Sequence, residues 1–362
     1  MKLASSILAL LCAAALAPAQ SPDSSRVRFA ISFARNSAPV SETLEAAADV
    51  YRKRLGKHAA EAKIISKPEK SQLSIELPFR SAFDALPARK LAKDVSEVAT
   101  MLELDGDSVL PPGGLVSLGS EWLVFTKSEG ATLAELKRGH WGTKAAAHPA
   151  GASLELFGLD RMGMLLQARG ELVFLQAASE KYLQAKGTSS DEERKHLQSW
   201  ITKHPDARLE EYDTLPREKG GPLPGTIWRR ERWNAVIAQD APREALLLLP
   251  ADSHCRFTQA DIAEYGQTPD EIGYPAISFE LRKERVAEFS AWTESIVGSS
   301  LAIVFDDELL VLATVRGKLP GAGVIEGGSG GFREGELSAL LELLRLPMLP
   351  SRPASVSTEF LP

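Results

Sequence analysis

The segment LAIVFDDELLVLATV, Leu301–Val315, gives the clearest structural pattern in the last third of the chain. Two apolar runs of strand length flank the acidic pair Asp306-Asp307, which is typical of a β-hairpin turn. Upstream, YPAISFEL (Tyr274–Leu281) predicts a further strand. Between the two segments, large apolar residues recur at helical spacing and precede Gly298: Val286, Phe289, Trp292 and Ile296. The pattern predicts an antiparallel sheet packed against helices.

A glycine-rich loop, VIEGGSGGF (Val324–Phe332), follows the hairpin. Read as G-x-S-x-G it would be a nucleophile elbow, but that order needs a histidine after Ser329, and all six histidines precede it. A phosphate loop needs a lysine followed by serine or threonine, whereas Glu334 and Glu336 lie at the start of the next segment. Leucines at helical spacing predict a final helix there: Leu337, Leu340, Leu341 and Leu344. The favoured interpretation is a tight strand-to-helix link made possible by glycine.

The N-terminal part predicts strands and helices in another order. Arg26–Ala34 alternates apolar and polar residues as a half-buried strand does, and a helical pattern then ends at Gly56. Ala62–Ser66 and Leu73–Leu77 predict a hairpin, and a second helix is expected over Asp84–Leu102. The order β-α-β-β-α predicts an α+β fold with a ferredoxin-like split βαβ base.

The middle of the chain, about 104–250, gives a weaker pattern. Apolar runs predict strands at Glu121–Thr126, Ser153–Leu159 and Glu244–Pro250. Helices are predicted near Leu133–Arg138, over Leu172–Lys186, and from Ser190 to about His204.

The charge balance argues against two classes of main partner. The 362 residues carry a formal net charge of −6, whereas nucleic acids and anionic membrane surfaces attract basic footprints. Two basic segments stand out, YRKRLGKH (Tyr51–His58) and WRRERW (Trp228–Trp233). The second either stacks on bases or sugars or grips a peptide, or it is a solvated face with its tryptophans turned inward. No nucleic-acid partner is expected.

The first residues predict a secretory signal peptide over residues 1–19. Lys2 supplies a positive charge, and Leu3–Leu16 is apolar but too short to span a bilayer, which takes about 20 residues. Ala17-Pro18-Ala19 has the form of a cleavage site, with cleavage after Ala19. Cys12 leaves lipidation as an alternative. The expected mature chain is exported, periplasmic or otherwise extracytoplasmic, soluble, and without a transmembrane segment.

No motif predicts a metal or a cofactor. Neither H-E-x-x-H nor C-x-x-C occurs, and Asp252, His254 and Cys255 lack a second ligand group at a recognised spacing. Cys255 is predicted to be a buried small apolar residue.

The last segment, read as a whole, resembles the head subdomain of the first periplasmic domain of SecD and SecDF protein-export membrane proteins. GYPAISFEL matches the family pattern G-x-P-x-(I/V)-x-F-x-L, and His254–Gly273 is similar to the approach segment before it. Positions that match elsewhere in the pattern are Thr293, Gly298, Ala302, Ile303, Asp306, Phe332, Leu340, Arg345, Leu349 and Pro350. The resemblance implies a small α+β head over residues 254–350, an antiparallel sheet with two helices.

The N-terminal region is similar to the family's base subdomain over residues 26–103. The matching positions are Arg52, Arg54, Leu55, Ile75, Leu77 and Pro78, although Phe79 stands where the family has glycine. Residues 104–253 would extend the base, and 351–362 would supply a closing strand, ASVSTEFLP. The resemblance therefore covers the extracytoplasmic domain without the transmembrane part.

The resemblance implies a non-enzymatic role in protein export. The leading hypothesis is a free, exported module that binds translocating or unfolded polypeptide, or that docks onto a translocon or envelope complex, with no cofactor and no catalytic residue. Two alternatives stay open: a scaffold that has lost the export role, and an enzyme whose site lies in the middle region, where His196 or His204 would be the residues to test.

Overall fold

A computed structural model describes residues 26–33, 40–106, 110, 113–158, 160–205, 207–232, 244–249, 257–327, 331–332 and 334–361. The fold is mixed α+β with several antiparallel sheets, and it divides into two compact units. Unit 1 takes in Met1–Gly170 and Ser338–Pro362, and unit 2 is Glu171–Leu337. The predicted signal peptide with Ala19, and the Asp252, His254 and Cys255 group, lie outside the described residues.

Strands and helices are numbered in chain order. The strands are β1 (Arg26–Phe33), β2 (Lys63–Lys67), β3 (Gln72–Pro78), β4 (Asp84–Lys90), β5 (Met101–Glu103), β6 (Gly114–Leu118), β7 (Glu121–Phe125), β8 (Lys127–Glu129), β9 (Thr132–Ala134), β10 (Ser153–Gly158), β11 (Leu172–Gln176), β12 (Thr226–Glu231), β13 (Glu244–Leu248), β14 (Phe257–Thr258), β15 (Ile262–Pro269), β16 (Pro275–Leu281), β17 (Ser300–Phe305), β18 (Glu308–Thr314), β19 (Ala322–Ile325) and β20 (Pro353–Leu361). The helices are α1 (Val40–Leu55), α2 (Phe79–Ala82), α3 (Asp160–Gln167), α4 (Glu180–Ala185), α5 (Ser190–Lys203), α6 (Leu209–Asp213), α7 (Lys283–Ser295) and α8 (Glu334–Leu344). Among them, none combines the length and the apolar character that a bilayer crossing requires.

Unit 1 contains a four-stranded antiparallel sheet in the order β2-β3-β1-β20. The alternation expected of β1 is present, since Val27, Phe29 and Ile31 are buried while the residues between them are half-buried. Leu44 and Tyr51 of α1 join the same core, which explains why the helix forms on this side of the sheet. The hairpin expected from residues 62–77 is β2 and β3.

The helix expected over Asp84–Leu102 is wrong. Asp84–Lys90 is β4, an edge strand of the sheet β4-β10-β6-β7, in which Leu86 pairs with Leu156. Pro87 accounts for the difference, because proline breaks a helix interior but is tolerated in an edge strand. The short helix expected near Leu133–Arg138 is also wrong, since this segment contributes β9 to the small sheet β5-β9-β8.

Unit 2 holds a six-stranded sheet, β13-β12-β18-β17-β11-β14, and a three-stranded sheet, β15-β16-β19. The quoted hairpin is β17 and β18, paired in antiparallel register. This hairpin lies in the six-stranded sheet. The strand expected at Tyr274–Leu281 is β16, which belongs to the three-stranded sheet. The sequence predicted a single sheet for the head, whereas its strands are divided between these two sheets. One pair in the larger sheet, β12 with β18, is parallel.

The helix expected over Leu172–Lys186 is wrong in its first half. Leu172–Gln176 is β11, which pairs with β17 and β14, and a helix, α4, begins only after the Ser179 side chain caps it. Tertiary pairing decides this apolar segment, because an isolated run of this length is compatible with either structure. Phe174 of β11 contacts the rings of Phe279 and Phe289.

Candidate functional site

The glycine loop singled out in the sequence is held by an arginine from a distant strand. The guanidinium of Arg232, just after β12, donates hydrogen bonds to the carbonyl oxygens of Gly327 at 2.7 Å and Gly331 at 3.0 Å. It also forms an ion pair with Glu336 and lies 5.0 Å from the centre of the Phe332 ring. The arginine is 11% exposed, so these contacts are largely shielded from water.

Glycine is required at both described ends of this loop. A Cβ on Gly327 would lie 2.3 Å from the backbone of Gly331, and a Cβ on Gly331 would lie 2.9 Å from the Tyr274 side chain. Gly331 also has φ +69°, a left-handed conformation that favours glycine. The glycines therefore allow the two ends of the loop, at Gly327 and Gly331, to approach each other closely.

The geometry at the loop ends differs from that of a phosphate site. A phosphate-binding loop presents backbone N–H groups to the anion, whereas here carbonyl oxygens at both ends accept hydrogen bonds from Arg232. This arrangement supports the interpretation of the loop as a structural link before α8. Ser329, the serine of the elbow hypothesis, lies outside the described residues.

The WRRERW segment is mostly turned into unit 2. Trp228 is buried, and the guanidinium of Arg229 pairs with the Asp213 carboxylate. Burial raises the pKa of Asp213, an effect that the neighbouring Arg229 opposes. Arg230 is half exposed and pairs with Glu244 at 3.1 Å. The arrangement favours the inward-facing alternative for Trp228, while Trp233 lies outside the described residues.

The basic segment Tyr51–His58 is divided between the core and the surface of unit 1. Arg54 is fully buried and donates to the carbonyl oxygens of Leu165 at 2.8 Å, Ala168 at 2.5 Å and Arg169 at 2.6 Å. These carbonyls lie at the end of α3, where a helix leaves acceptors without intrahelical partners. Arg54, which matches the basic motif of the family, therefore has a structural role in the core of unit 1.

Unit 1 contains a buried acidic centre that no sequence pattern predicted. The Glu121 carboxylate is fully buried and accepts hydrogen bonds from Arg138 at 2.6 and 2.7 Å and from Ala146 N–H at 3.2 Å, with His148 Nε2 at 3.1 Å. Burial raises the pKa of Glu121, but these hydrogen bonds outweigh it and hold that pKa below its ordinary value. The centre ties the segment after β9 to strand β7.

The remaining candidate residues from the sequence, Asp306, His196 and His204, lie in unit 2. The Asp306 carboxylate accepts from the Glu171 N–H at 2.8 Å, a contact between the hairpin turn and the residue just before β11. His204 stacks on Trp200 at 5.0 Å, and His196 lines a shallow surface groove on α5. Within the described ranges, no group of three or more histidine, cysteine or acidic side chains has metal-binding proximity.

Unit 2 exposes apolar side chains beside an acidic turn. Ile272, in the turn between β15 and β16, is 77% exposed, and Val324 of the edge strand β19 is 41% exposed. Burial raises the pKa of nearby Glu326, and the carboxylates of Asp270 and Glu271 raise it further. These residues form an apolar and acidic surface on the three-stranded sheet.

Sequence comparisons relate part of the chain to known proteins. Residues 236–350 match the family model described as "SecDF, P1 head subdomain". Over 82 residues, the chain is 37% identical to the protein translocase subunit SecD of Aquifex aeolicus (strain VF5). That alignment covers 23% of this chain and only 16% of the relative.

Two solved structures cover most of the chain at low similarity. A structure of SecDF, described as a membrane component that enhances protein export, is 19% identical, with a TM-score of 0.39 over 91% of this chain and 98% of that one. SecDF in a super-membrane-facing form is 17% identical, with a TM-score of 0.37 over 94% of this chain and 32% of that one. The similarity to SecD and SecDF proteins therefore rests on the two sequence matches, of which the family-model match places a region like the SecDF P1 head subdomain at residues 236–350.

Proposed function

We propose that this chain is an exported, non-catalytic SecD-like module that binds translocating or unfolded polypeptide outside the cytoplasm, alone or docked onto a translocon or envelope complex. The observation that carries the proposal is the head subdomain match over residues 236–350, because its family takes part in protein export. A fold shared with an export component is an analogy for function, so the binding activity itself requires a direct test.

A SecD-like base is part of the proposal. In unit 1, β1, α1, β2 and β3 follow one another, and β20 completes an antiparallel sheet beside β1. Helix α3 contacts both α1 and β20. This order is compatible with a ferredoxin-like split βαβ arrangement whose second helix is α3 and not, as expected, a helix within residues 84–102, and whose closing strand is β20.

The exposed residues of unit 2 provide a surface suited to an unfolded chain. Unfolded polypeptides present apolar side chains and unpaired backbone groups, and the edge strand β19 offers both an exposed Val324 and a sheet edge. Ile272 adds a second exposed apolar residue. Contacts of this kind tolerate varied sequences, as binding to many exported chains requires.

The test is direct binding to a permanently unfolded model polypeptide, labelled with a fluorophore and followed by anisotropy. The chain should bind it, and the double variant Ile272→Asp/Val324→Asp should bind several-fold more weakly. Val98→Asp is the matched control, because Val98 is 78% exposed in unit 1. Absence of binding by the unaltered chain would contradict the polypeptide-binding role, and co-purification with translocon components would then separate docking from a scaffold role.

A further inference from the structure

One edge of the three-stranded sheet in unit 2 has no described strand beside it. Strand β19 is the last strand in the order β15-β16-β19, and its register with β16 places Val324 opposite Ser278. Among the described residues, no other strand or backbone group forms hydrogen bonds with the backbone of Ala322–Ile325. In an edge strand, alternate residues direct their N–H and C=O groups away from the neighbouring strand. The outer edge of β19 therefore offers backbone donors and acceptors.

Apart from its shortness, β19 lacks the features that usually protect such an edge. Edge strands are commonly blunted by lysine, proline or a bulge, whereas β19 has the sequence AGVI and pairs with β16 in regular register. Ala322 and Val324 are exposed, while Ile325 is fully buried on the other face. An unprotected edge beside exposed apolar side chains suits the addition of an extended segment from another chain.

Carboxylates line the end of this sheet at which β15 turns into β16. Glu326 directly follows β19 and is exposed, as is Val324 two residues before it. Asp270 and Glu271 belong to the turn. Partial burial raises the pKa of Glu326, and the charges of Asp270 and Glu271 raise it further. The three carboxylates therefore repel one another, and a cation brought to this end would relieve the repulsion.

The sheet itself supplies no cation to this end. The strands β15, β16 and β19 and the turn at residues 270–274 contain no lysine, arginine or histidine. The first basic residues after β16 are Arg282 and Lys283, which follow the opposite end of that strand. Among the described residues, neither Glu271 nor Glu326 has an ion-pair partner.

Arg232 does not fill this role either. It donates a hydrogen bond to the carbonyl oxygen of Gly327, the residue after Glu326, but its charge is compensated by the ion pair with Glu336. The described part of unit 2 therefore leaves the negative charge at this end for a bound segment to neutralise.

An extended segment of another polypeptide fits this edge better than a second copy of the chain. At about 3.3 Å per residue, the four residues of β19 span only about 13 Å. Pairing over so short an edge buries far less than the roughly 1,200 Å² of a stable interface. An added strand would direct alternate side chains to the face that carries Val324 and Glu326. An apolar residue beside Val324 and a lysine or arginine two positions away, beside Glu326, would match both.

We infer that the outer edge of β19 binds extended polypeptide segments as an added strand and prefers segments in which an apolar residue and a lysine or arginine are two positions apart. The inference rests on the proposed function and deepens it by naming the class of segment that is bound. It differs from a general affinity for apolar chains because it requires both a positive charge and a fixed spacing.

The test uses the full chain and three short labelled peptides with a background of serine and threonine, followed by anisotropy. In the first peptide, leucine and lysine are two positions apart. The second has the same composition with the two residues adjacent, and the third has glutamate in place of lysine. The first peptide should bind about fivefold more tightly than either of the others. Its advantage over the third should decrease at high salt.

Backbone methylation tests whether the peptide adds as a strand. Only one edge of an added strand faces β19, so methylating every second backbone nitrogen of the first peptide should abolish binding in one phase and preserve it in the other. Equal binding of the two methylated peptides would overturn strand addition.

Glu326→Lys should reverse the charge preference, so that the glutamate peptide binds more tightly than the lysine peptide. Glu218→Lys is the matched control, because it makes the same charge change at an exposed position of unit 2 outside the three-stranded sheet, and it should leave the preference unchanged. Equal effects of the two variants would overturn the inference, as would equal binding of the first two peptides. A dimer of the chain that depends on Glu326 and excludes the peptides would also overturn it.

The permanently unfolded polypeptide, measured with the same protein, separates the two hypotheses. If the unaltered chain binds it but does not distinguish the three peptides, only the present inference fails. If the unaltered chain binds neither the polypeptide nor any peptide, the proposed function fails as well.

Discussion

Arg232 donates a 2.7 Å hydrogen bond to the carbonyl oxygen of Gly327, a residue 95 positions further along the chain. The contact links the basic WRRERW segment to the glycine loop, two features that the sequence suggested as separate candidate sites. The two features therefore form one structural unit in unit 2, because Arg232 supplies hydrogen-bond donors to carbonyl oxygens at the ends of the tight loop.

Removing this arginine should destabilise unit 2. We expect Arg232→Ala to lower the free energy of unfolding by about 3 kcal/mol, because two carbonyls and the Glu336 carboxylate lose their cation. Arg230→Ala is the control, since its half-exposed pair with Glu244 contributes about 1 kcal/mol or less. Urea unfolding followed by tryptophan fluorescence measures both, and equal losses would contradict the assigned role.

Gly331 should not tolerate a side chain. Gly331→Ala combines a left-handed backbone with a contact of 2.9 Å to Tyr274, and we expect a loss of about 2–3 kcal/mol. Gly298→Ala shares the positive φ but meets nothing within 4 Å, so about 1 kcal/mol is expected. The difference between the two unfolding free energies isolates the steric contact. If the two variants were equally stable, the close approach would be unsupported.

The buried Arg54 should be essential to unit 1. Arg54→Met keeps much of the volume but leaves the carbonyls of Leu165 and Ala168 without this donor, so we expect a loss of about 3 kcal/mol or more. Arg52→Ala, at an exposed position paired with Asp49, should cost under about 1 kcal/mol. Circular dichroism during thermal unfolding reports both. A mild effect at Arg54 would show that water replaces the guanidinium.

The Glu121 centre should make unit 1 sensitive to acid. Because the folded state holds the Glu121 pKa below its ordinary value, its stabilisation is complete above the unfolded pKa, near 4.5, and is lost as pH falls through the lower folded pKa. Glu121→Gln should remove this pH dependence and also cost about 3 kcal/mol at neutral pH. The pair with Lys127 also lowers the Glu129 pKa, but that pair is exposed and screened by water, so Glu129→Gln should change the profile much less. Urea midpoints from pH 7 to pH 3 measure the effect.

His140 should make the stability of unit 1 depend on pH in a higher pH range than Glu121 does. Burial, together with the charge of Lys137, lowers the His140 pKa from 6.5 to about 4. The folded state therefore disfavours the proton, and the stability that His140 provides is complete above pH 6.5 and falls progressively towards pH 4. NMR titration of the ring should show the low pKa directly. Replacement by glutamine should flatten the stability profile in this window, and an unchanged profile would contradict the assigned role.

Local patterns predicted strands of two kinds. The alternation in β1 is present, and β3 and β17, which were predicted from short apolar runs bounded by turns, are buried along nearly their whole length. The pattern was insufficient for Leu172–Gln176, where strand partners far away in sequence decide between helix and strand. The helix expected over Asp84–Leu102 ignored Pro87, a signal that the sequence did contain.

The candidate sites were predicted less well than the strands. The sequence identified Arg232 and the glycine loop as unusual, but their contact joins positions that no local pattern relates. The Glu121 centre gave no signal, because a single glutamate at the start of a strand is common and its partners Arg138 and His148 lie beyond two turns. The family resemblance of the head was confirmed by the match over residues 236–350, whereas the domain boundaries expected from it stay predictions.

The pairing of β1 with β20 has a consequence for how the protein is made. Arg26 lies opposite Leu361. Strand β1 lies between β3 and β20, and it can pair with β20 only after the last described residues have been synthesised. Closing so long a loop carries an entropic penalty, and contacts of this separation form slowly. During synthesis, the edge of β1 that pairs with β20 would remain unpaired. A chaperone that covers this edge should therefore raise the yield of correctly folded chains.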